Sequence, residues 1–156
     1  MTPQPPPPGW LVIGIGNAWR GDDALGLVAA RRLRALLPAQ VSIVEASGDG
    51  TSLLTLWAGA DQVILIDAVQ SGAPPGTVQR FTVHTAPLPS HTFRMSTHAF
   101  GLAEGIELAR ALGQLPAVCL VYGIEGSVWE RGAALSPAVE ASVQEVVRRV
   151  QEDVRL

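Results

Sequence analysis

The sequence has little of what several classes of protein need. It contains one cysteine, Cys119, so neither an intramolecular disulfide nor a cysteine-based zinc site can form. No apolar segment approaches the roughly 20 residues of a membrane-spanning helix, and the proline-rich start does not resemble a signal peptide. The 11 Lys and Arg residues do not outnumber the 14 Asp and Glu residues, unlike in most nucleic-acid-binding proteins. We therefore expect a cytoplasmic protein that binds neither nucleic acid nor membranes.

What is present favours one well-packed domain. Hydrophobic residues make up 47% of the chain and charged residues only 16%, enough apolar material for one core. The length of 156 residues suits a single domain. Residues 1–9 are mostly proline, which cannot donate backbone hydrogen bonds. The sequence predicts a disordered tail over residues 1–9 and a single α/β domain over residues 10–156.

Apolar runs alternate with helical patterns along the domain. Strands are predicted at residues 10–15, 41–46, 63–66, 77–83 and 117–122, and helices at residues 24–37, 51–57, 97–112 and 136–150. This alternation predicts a three-layer sandwich, with a mostly parallel, twisted sheet of about five strands and helices on both faces. In such sheets, ligands bind at the carboxyl ends of the strands, where we therefore look for a site.

A glycine-rich turn after the first strand leads into two acidic residues, Asp22 and Asp23. The glycine spacing approaches that of two phosphate-binding motifs. Trp19 occupies the place of the third glycine of a dinucleotide fingerprint, and Asp22 and Asp23 stand where a P-loop needs Lys and Ser or Thr. The two carboxylates would also repel a phosphate. A cation or an electrophile suits this turn better. Capping of the following helix explains one of the two acidic residues equally well.

Two further polar residues are expected at the same edge of the sheet. Asp67 follows the third strand, which we expect to end there, and His98 follows the predicted helix start at Thr97. A helix N-terminus favours a neutral imidazole, which binds a metal or accepts a proton. Asp23, Asp67 and His98 suit a divalent transition metal or acid–base catalysis on water, and spacing does not choose between these. The alternatives are a turn cap for Asp67 and a packed or surface role for His98.

Other nucleophilic and metal-dependent systems lack their motifs. No Gly-x-Ser-x-Gly or His-Glu-x-x-His sequence is present. Cys119 lies inside an apolar run, which indicates a core residue.

Four sequence blocks resemble, in order, those of hydrogenase maturation endopeptidases. They are Ile-Gly-Ile-Gly-Asn at residues 13–17 with Gly-Asp-Asp at 21–23, Ile-Asp-Ala at 66–68 with Pro-Gly-Thr at 75–77, Ser-Thr-His-Ala-Phe-Gly-Leu at 96–102, and Tyr-Gly-Ile-Glu at 122–125 with Leu-Ser-Pro at 135–137. The resemblance extends from about residue 11 to residue 150. Residues 47–51 differ from the Gly-Gly-Thr form of other members, and this difference affects substrate choice in our interpretation.

The resemblance implies an endopeptidase that removes the C-terminal extension of a nickel–iron hydrogenase large-subunit precursor after nickel insertion. It places Asp23, Asp67 and His98 as the catalytic and nickel-contacting residues. No permanent cofactor is expected, because the nickel arrives with the substrate. The residues predicted to bind substrate are Asn17, Asp22, Gly48 and Asp49. Two alternatives are a nickel-binding accessory protein without protease activity and a flavodoxin-like binder of small molecules.

Overall fold

Strands and helices alternate through residues 9–89 and 100–155, the part of the chain that the computed structural model describes. The elements are β1 Trp10–Ile15, a 3₁₀ turn Gly21–Ala24, α1 Leu25–Leu36, β2 Ser42–Ala46, α2 Gly50–Leu56, β3 Gln62–Val69, β4 Val78–Thr82, α3 Leu102–Ala111, β5 Val118–Glu125 and α4 Pro137–Asp153. His98 and all but the last residue of the predicted tail lie outside the described residues.

The strands form one sheet in the order β2-β1-β3-β5-β4. The β1–β2, β1–β3 and β3–β5 pairs are parallel, whereas β4 runs antiparallel to β5 at one edge. The predicted α/β fold is therefore confirmed. From β1 the chain passes to β2 on one side and then crosses to β3 on the other. This reversal opens a crevice at the carboxyl ends of β1 and β3, where open α/β sheets bind their ligands.

Helices cover both faces of the sheet because alternate strand residues point to opposite sides. Helices α1 and α4 pack on the face that contains Val12 and Ile64. Helices α2 and α3 pack on the face that contains Ile13 and Leu65. Burial of each such side chain contributes about 1.5–3 kcal/mol to folding. Cys119 is fully buried in the second face, as predicted, and burial raises the pKa of its thiol to about 12.

Two predicted boundaries are wrong near the site. Strand β3 does not end at Asp67 but continues to Val69, since β5 is equally long and Asp67 pairs with Gly123. Helix α3 begins at Leu102 rather than at Thr97, because Gly101 is its extended N-cap. Thr97 and His98 themselves lie outside the described residues.

The last helix follows its sequence signals. Helix α4 has Ser136 as its N-cap and Pro137 in its first turn, as predicted. Its buried stripe consists of Val139, Val143, Val146, Val147 and Val150. No helix among residues 9–89 and 100–155 is long and apolar enough to cross a membrane.

Candidate active site

Two glycines bring the start of α1 against the carboxyl ends of β1 and β3. A Cβ atom on Gly26 would lie 2.2 Å from the carbonyl oxygen of Ile15 and 2.4 Å from that of Ile66. A Cβ atom on Gly14 would lie 2.1 Å from the carbonyl oxygen of Gly26. No larger residue fits at either position without a shift of the backbone. This close approach places the 3₁₀ turn that carries Asp23 beside β3.

The turn that carries Asp23 is held by its own backbone. The amide of Asn17 donates to the carbonyl of Asp23 at 3.2 Å, and the amide of Asp23 donates to the carbonyl of Arg20 at 3.0 Å. The Asp23 carboxylate accepts no hydrogen bond from the described residues, and the side chain is partly exposed. Among residues 9–89 and 100–155, none therefore uses the Asp23 carboxylate oxygens to hold the fold.

Asp67 reaches the same crevice from the interior of β3. Strand alternation places its side chain on the α2–α3 face, together with Leu65 and Val69. Its Oδ1 accepts one hydrogen bond, from the amide of Ala68 at 2.8 Å. The side chain is partly buried, and it holds its carboxyl group at the switch point between β1 and β3.

The charge of Asp23 acts on the carboxyl group of Asp67. Burial raises the pKa of Asp67 well above its usual range, the negative charge of Asp23 raises it further, and the Ala68 hydrogen bond only partly opposes this. Burial also raises the pKa of Asp23, while the charge of Arg20 lowers it in part. Perturbed carboxyl pairs of this kind hold a cation or share a proton. The structure thus brings together two of the three residues that the sequence predicted.

The third predicted residue, His98, lies outside the described residues. Within residues 9–89 and 100–155, no three His, Cys, Asp or Glu side chains form a cluster that could hold a metal ion. The chain re-enters the described part beside the start of α2, where the carbonyl of Phe100 accepts from the amide of Gly50 at 2.9 Å. Phe100, two residues after His98 in the sequence, therefore lies at the carboxyl end of β2.

The surroundings of the Asp22 carboxylate differ from those of the Asp23 carboxylate. Its carboxylate is fully buried and accepts four hydrogen bonds: from the amides of Ser127, Val128 and Ser136 at 2.8, 2.9 and 2.8 Å, and from the Ser136 hydroxyl at 2.9 Å. Burial alone would raise the pKa of Asp22, but these hydrogen bonds outweigh it and lower the pKa. The structure gives Asp22 a structural role and leaves no exposed oxygen for the predicted substrate contact.

Glu125 is a second buried carboxylate, which the sequence reasoning did not single out. It accepts from the amide and hydroxyl of Ser71 and from the amide of Gly72, each at 2.9 Å, and so holds the β3–β4 loop. Its position at the end of an apolar strand is the same signal that identified Asp67. We call Asp22 and Glu125 the latch carboxylates.

The other predicted substrate-binding residues lie at turns on the same edge of the sheet. Asn17 Oδ1 accepts from the amide of Trp19 at 2.9 Å. Gly48 is buried with a φ of +92°, a conformation that favours glycine. Asp49 is the N-cap of α2 and accepts from the amide of Thr51 at 3.1 Å. Their contacts with a substrate stay predictions.

Known proteins are similar to this chain in sequence and in fold. The family described as hydrogenase maturation protease matches residues 28–153. The chain is similar to the hydrogenase 2 maturation protease of Escherichia coli strain K12, at 31% identity over 148 residues, which cover 93% of this chain and 90% of that protein.

Solved structures give the same result. The hydrogenase maturating endopeptidase HybD from E. coli superimposes with a TM-score of 0.80 and 28% identity, covering 94% of this chain and 92% of that one. The [NiFe] hydrogenase maturation protease HybD from Thermococcus kodakarensis has a TM-score of 0.74 and 27% identity, covering 94% and 99%.

The fold and these relatives first define a class: the chain is a peptidase of α/β architecture. More particularly, it belongs to the hydrogenase maturation protease family. The predicted family and the predicted peptidase activity are confirmed.

Proposed function

We propose that this peptidase removes the C-terminal extension of a nickel–iron hydrogenase large-subunit precursor after nickel insertion, and that it recognises the nickel through Asp23, Asp67 and His98. The observation that carries this proposal is the carboxyl pair at the switch point. Asp23 and Asp67 are close enough for one charge to raise the pKa of the other. Asp23 accepts no hydrogen bond, and Asp67 only one, from the described residues.

A divalent cation is a ligand that suits this pair. Two neighbouring carboxylates repel each other, and a cation between them offsets that repulsion. Carboxylate and imidazole ligands suit divalent first-row metals but bind nickel less tightly than thiolates do, so the processed substrate can leave. The nickel is part of the substrate, and the enzyme contributes the ligands that detect it. His98 enters the proposal from the sequence alone.

Two chemical routes to cleavage fit these groups. In one, the nickel of the substrate polarises the scissile carbonyl toward attack by water. In the other, a carboxylate removes a proton from the attacking water, and that proton then passes to the leaving amine. In both routes, the oxygen of water bonds to the carbonyl carbon and the peptide C–N bond breaks.

A processing assay tests the proposal directly. The purified chain is mixed with nickel-free and nickel-loaded precursor, and the mass of the precursor C-terminus is followed. Cleavage of only the loaded form is the expected result. Cleavage of both forms would overturn nickel recognition but leave C-terminal processing. If neither form of any candidate precursor is cleaved, the proposal is overturned and a nickel-binding accessory role becomes the better explanation.

The role of His98 is tested with a matched histidine control. We expect His98→Ala to lower processing of the nickel-loaded precursor at least about 100-fold, as the loss of a catalytic or metal-contacting group does. His84→Gln serves as the control, because His84 lies near the amino end of β5, away from the carboxyl ends of the strands. Its Nε2 is 2.6 Å from the carbonyl oxygen of Pro116. A His98→Ala variant that is folded by circular dichroism and works at the parent rate would disprove the assignment.

A further inference from the structure

Trp19 is an exposed aromatic residue on a fixed backbone. Its side chain is 73% exposed. Its amide donates to Asn17 Oδ1 at 2.9 Å, and its carbonyl accepts from the amide of Gly132 at 2.9 Å. The loop therefore presents the indole to solvent in a defined position, although folding gains little from an exposed side chain.

The position of Trp19 separates it from the other exposed large hydrophobic residues. The others among the described residues are Leu36, Leu56, Leu112 and Val118. They lie at the ends of α1, α2 and α3 and at the start of β5, which places all of them at the amino edge of the sheet. Trp19 lies at the carboxyl edge, four residues before Asp23.

The surface around Trp19 is made of two loops that are tied together. Residues 17–23 and residues 126–136 are joined by the four hydrogen bonds to the Asp22 carboxylate. The amide of Asp22 also donates to the carbonyl of Val128 at 2.7 Å. Any ligand held by these loops is therefore held at a fixed position relative to Asp23.

A depression on these loops suits one protruding side chain. Trp19, Arg131 and Gly132 line a space of about 300 Å³. Arg131 is exposed and makes no hydrogen bond or ion pair with the residues that the structure describes. A Trp face next to an unpaired guanidinium suits an apolar side chain beside a carboxylate, and Trp and Arg often dominate the energy of protein interfaces.

We propose that Trp19 is a substrate-anchoring residue, which receives an apolar side chain of the hydrogenase precursor while Arg131 pairs with an acidic residue beside it. The inference rests on the proposed function, because it names a polypeptide substrate as the occupant. Its consequence is that specificity depends partly on a precursor segment away from the scissile bond.

Steady-state processing kinetics test the anchor. We expect Trp19→Ala to raise KM about 10- to 30-fold, the loss typical of an interface hot spot, with kcat changed less than about twofold. Trp19→Phe should recover part of the loss, and Arg131→Gln should raise KM by a smaller factor that shrinks at high salt. Leu112→Ala is the matched control, since Leu112 is 55% exposed at the other edge. Unchanged kinetics in Trp19→Ala would overturn the anchor and leave the proposed function intact.

Binding to a cleavage-deficient enzyme separates the two hypotheses. The affinity of the precursor for Asp67→Asn is compared with its affinity for Asp67→Asn/Trp19→Ala, by biolayer interferometry. We expect about 10-fold or greater weakening in the double variant. Equal affinities would overturn the anchor. The double variant could bind the precursor more weakly while the parent enzyme processes no precursor at all. That result would support the anchor and reject the proposed function.

Discussion

Two pairs of carboxyl groups lie at the carboxyl edge of the sheet, and their surroundings are opposite. The latch carboxylates, Asp22 and Glu125, are buried and surrounded by hydrogen-bond donors. The open pair, Asp23 and Asp67, is only partly buried, and the described residues give it a single hydrogen bond. Hydrogen bonds lower the pKa of Asp22, whereas burial and the charge of Asp23 raise the pKa of Asp67.

The difference shows that the number of donors separates a carboxylate that holds the fold from one whose oxygens stay open to a ligand. A carboxylate with several donors is stable in its charged form and has no oxygen left for a ligand. A carboxylate with few donors and a charged neighbour still lacks a partner, which a substrate cation can supply. Asp22 and Asp23 are adjacent in the sequence, so chain position alone does not decide which role a residue takes.

The largest expected effect comes from the open pair. Asp67→Asn should lower processing by about 100- to 10,000-fold, the range for loss of a catalytic acid–base group. Stability should not fall, because the substitution removes a charge that Asp23 repels. Mass spectrometry of the precursor and urea unfolding measure the two effects. The matched control is Asp61→Asn, an exposed carboxylate at the amino edge; equal losses in both variants would contradict the site.

Substitution of a latch carboxylate should instead lower stability. Asp22→Ala should lower the free energy of unfolding by about 3–5 kcal/mol, since it leaves four donors of the β5–α4 loop without their acceptor. Urea denaturation measures this change. Glu130→Ala is the control, because Glu130 is exposed in the same β5–α4 loop. A loss below about 1 kcal/mol for Asp22→Ala would show that water replaces the carboxylate and that the latch adds little stability.

The smallest effect is expected from Gly26→Ala, which tests how Asp23 is positioned relative to Asp67. Gly26→Ala should cost about 1–3 kcal/mol of stability, because its methyl group overlaps the carbonyl oxygens of Ile15 and Ile66. Processing should fall as well, since the added methyl group pushes the start of α1, and with it Asp23, away from β3. Thermal unfolding and the processing assay measure both. Parent-like values in both measurements would show that the close approach is not needed.

Much of the fold and part of the site follow from patterns in the sequence. Apolar runs that alternate with amphipathic helices predicted the sheet and its layers, because parallel strands need helical crossovers. The same rule placed Asp23 and Asp67 at one edge, because parallel strands end together there. Residue types therefore predicted the open pair, although the place where β3 ends depended on its partner β5. His98 and the nickel contact stay predictions.

The sequence by itself determined the strand and helix order, the family, and the acidic residues at the switch point, because local patterns carry this information. The tertiary structure alone decided that Asp22 and Glu125 are the latch carboxylates. Asp22 is stabilised by donors more than 100 residues away in the chain, and Glu125 by donors more than 50 residues away. A hydrogen bond depends on donor positions within a few tenths of an ångström, and only the packed sheet and its loops set those positions.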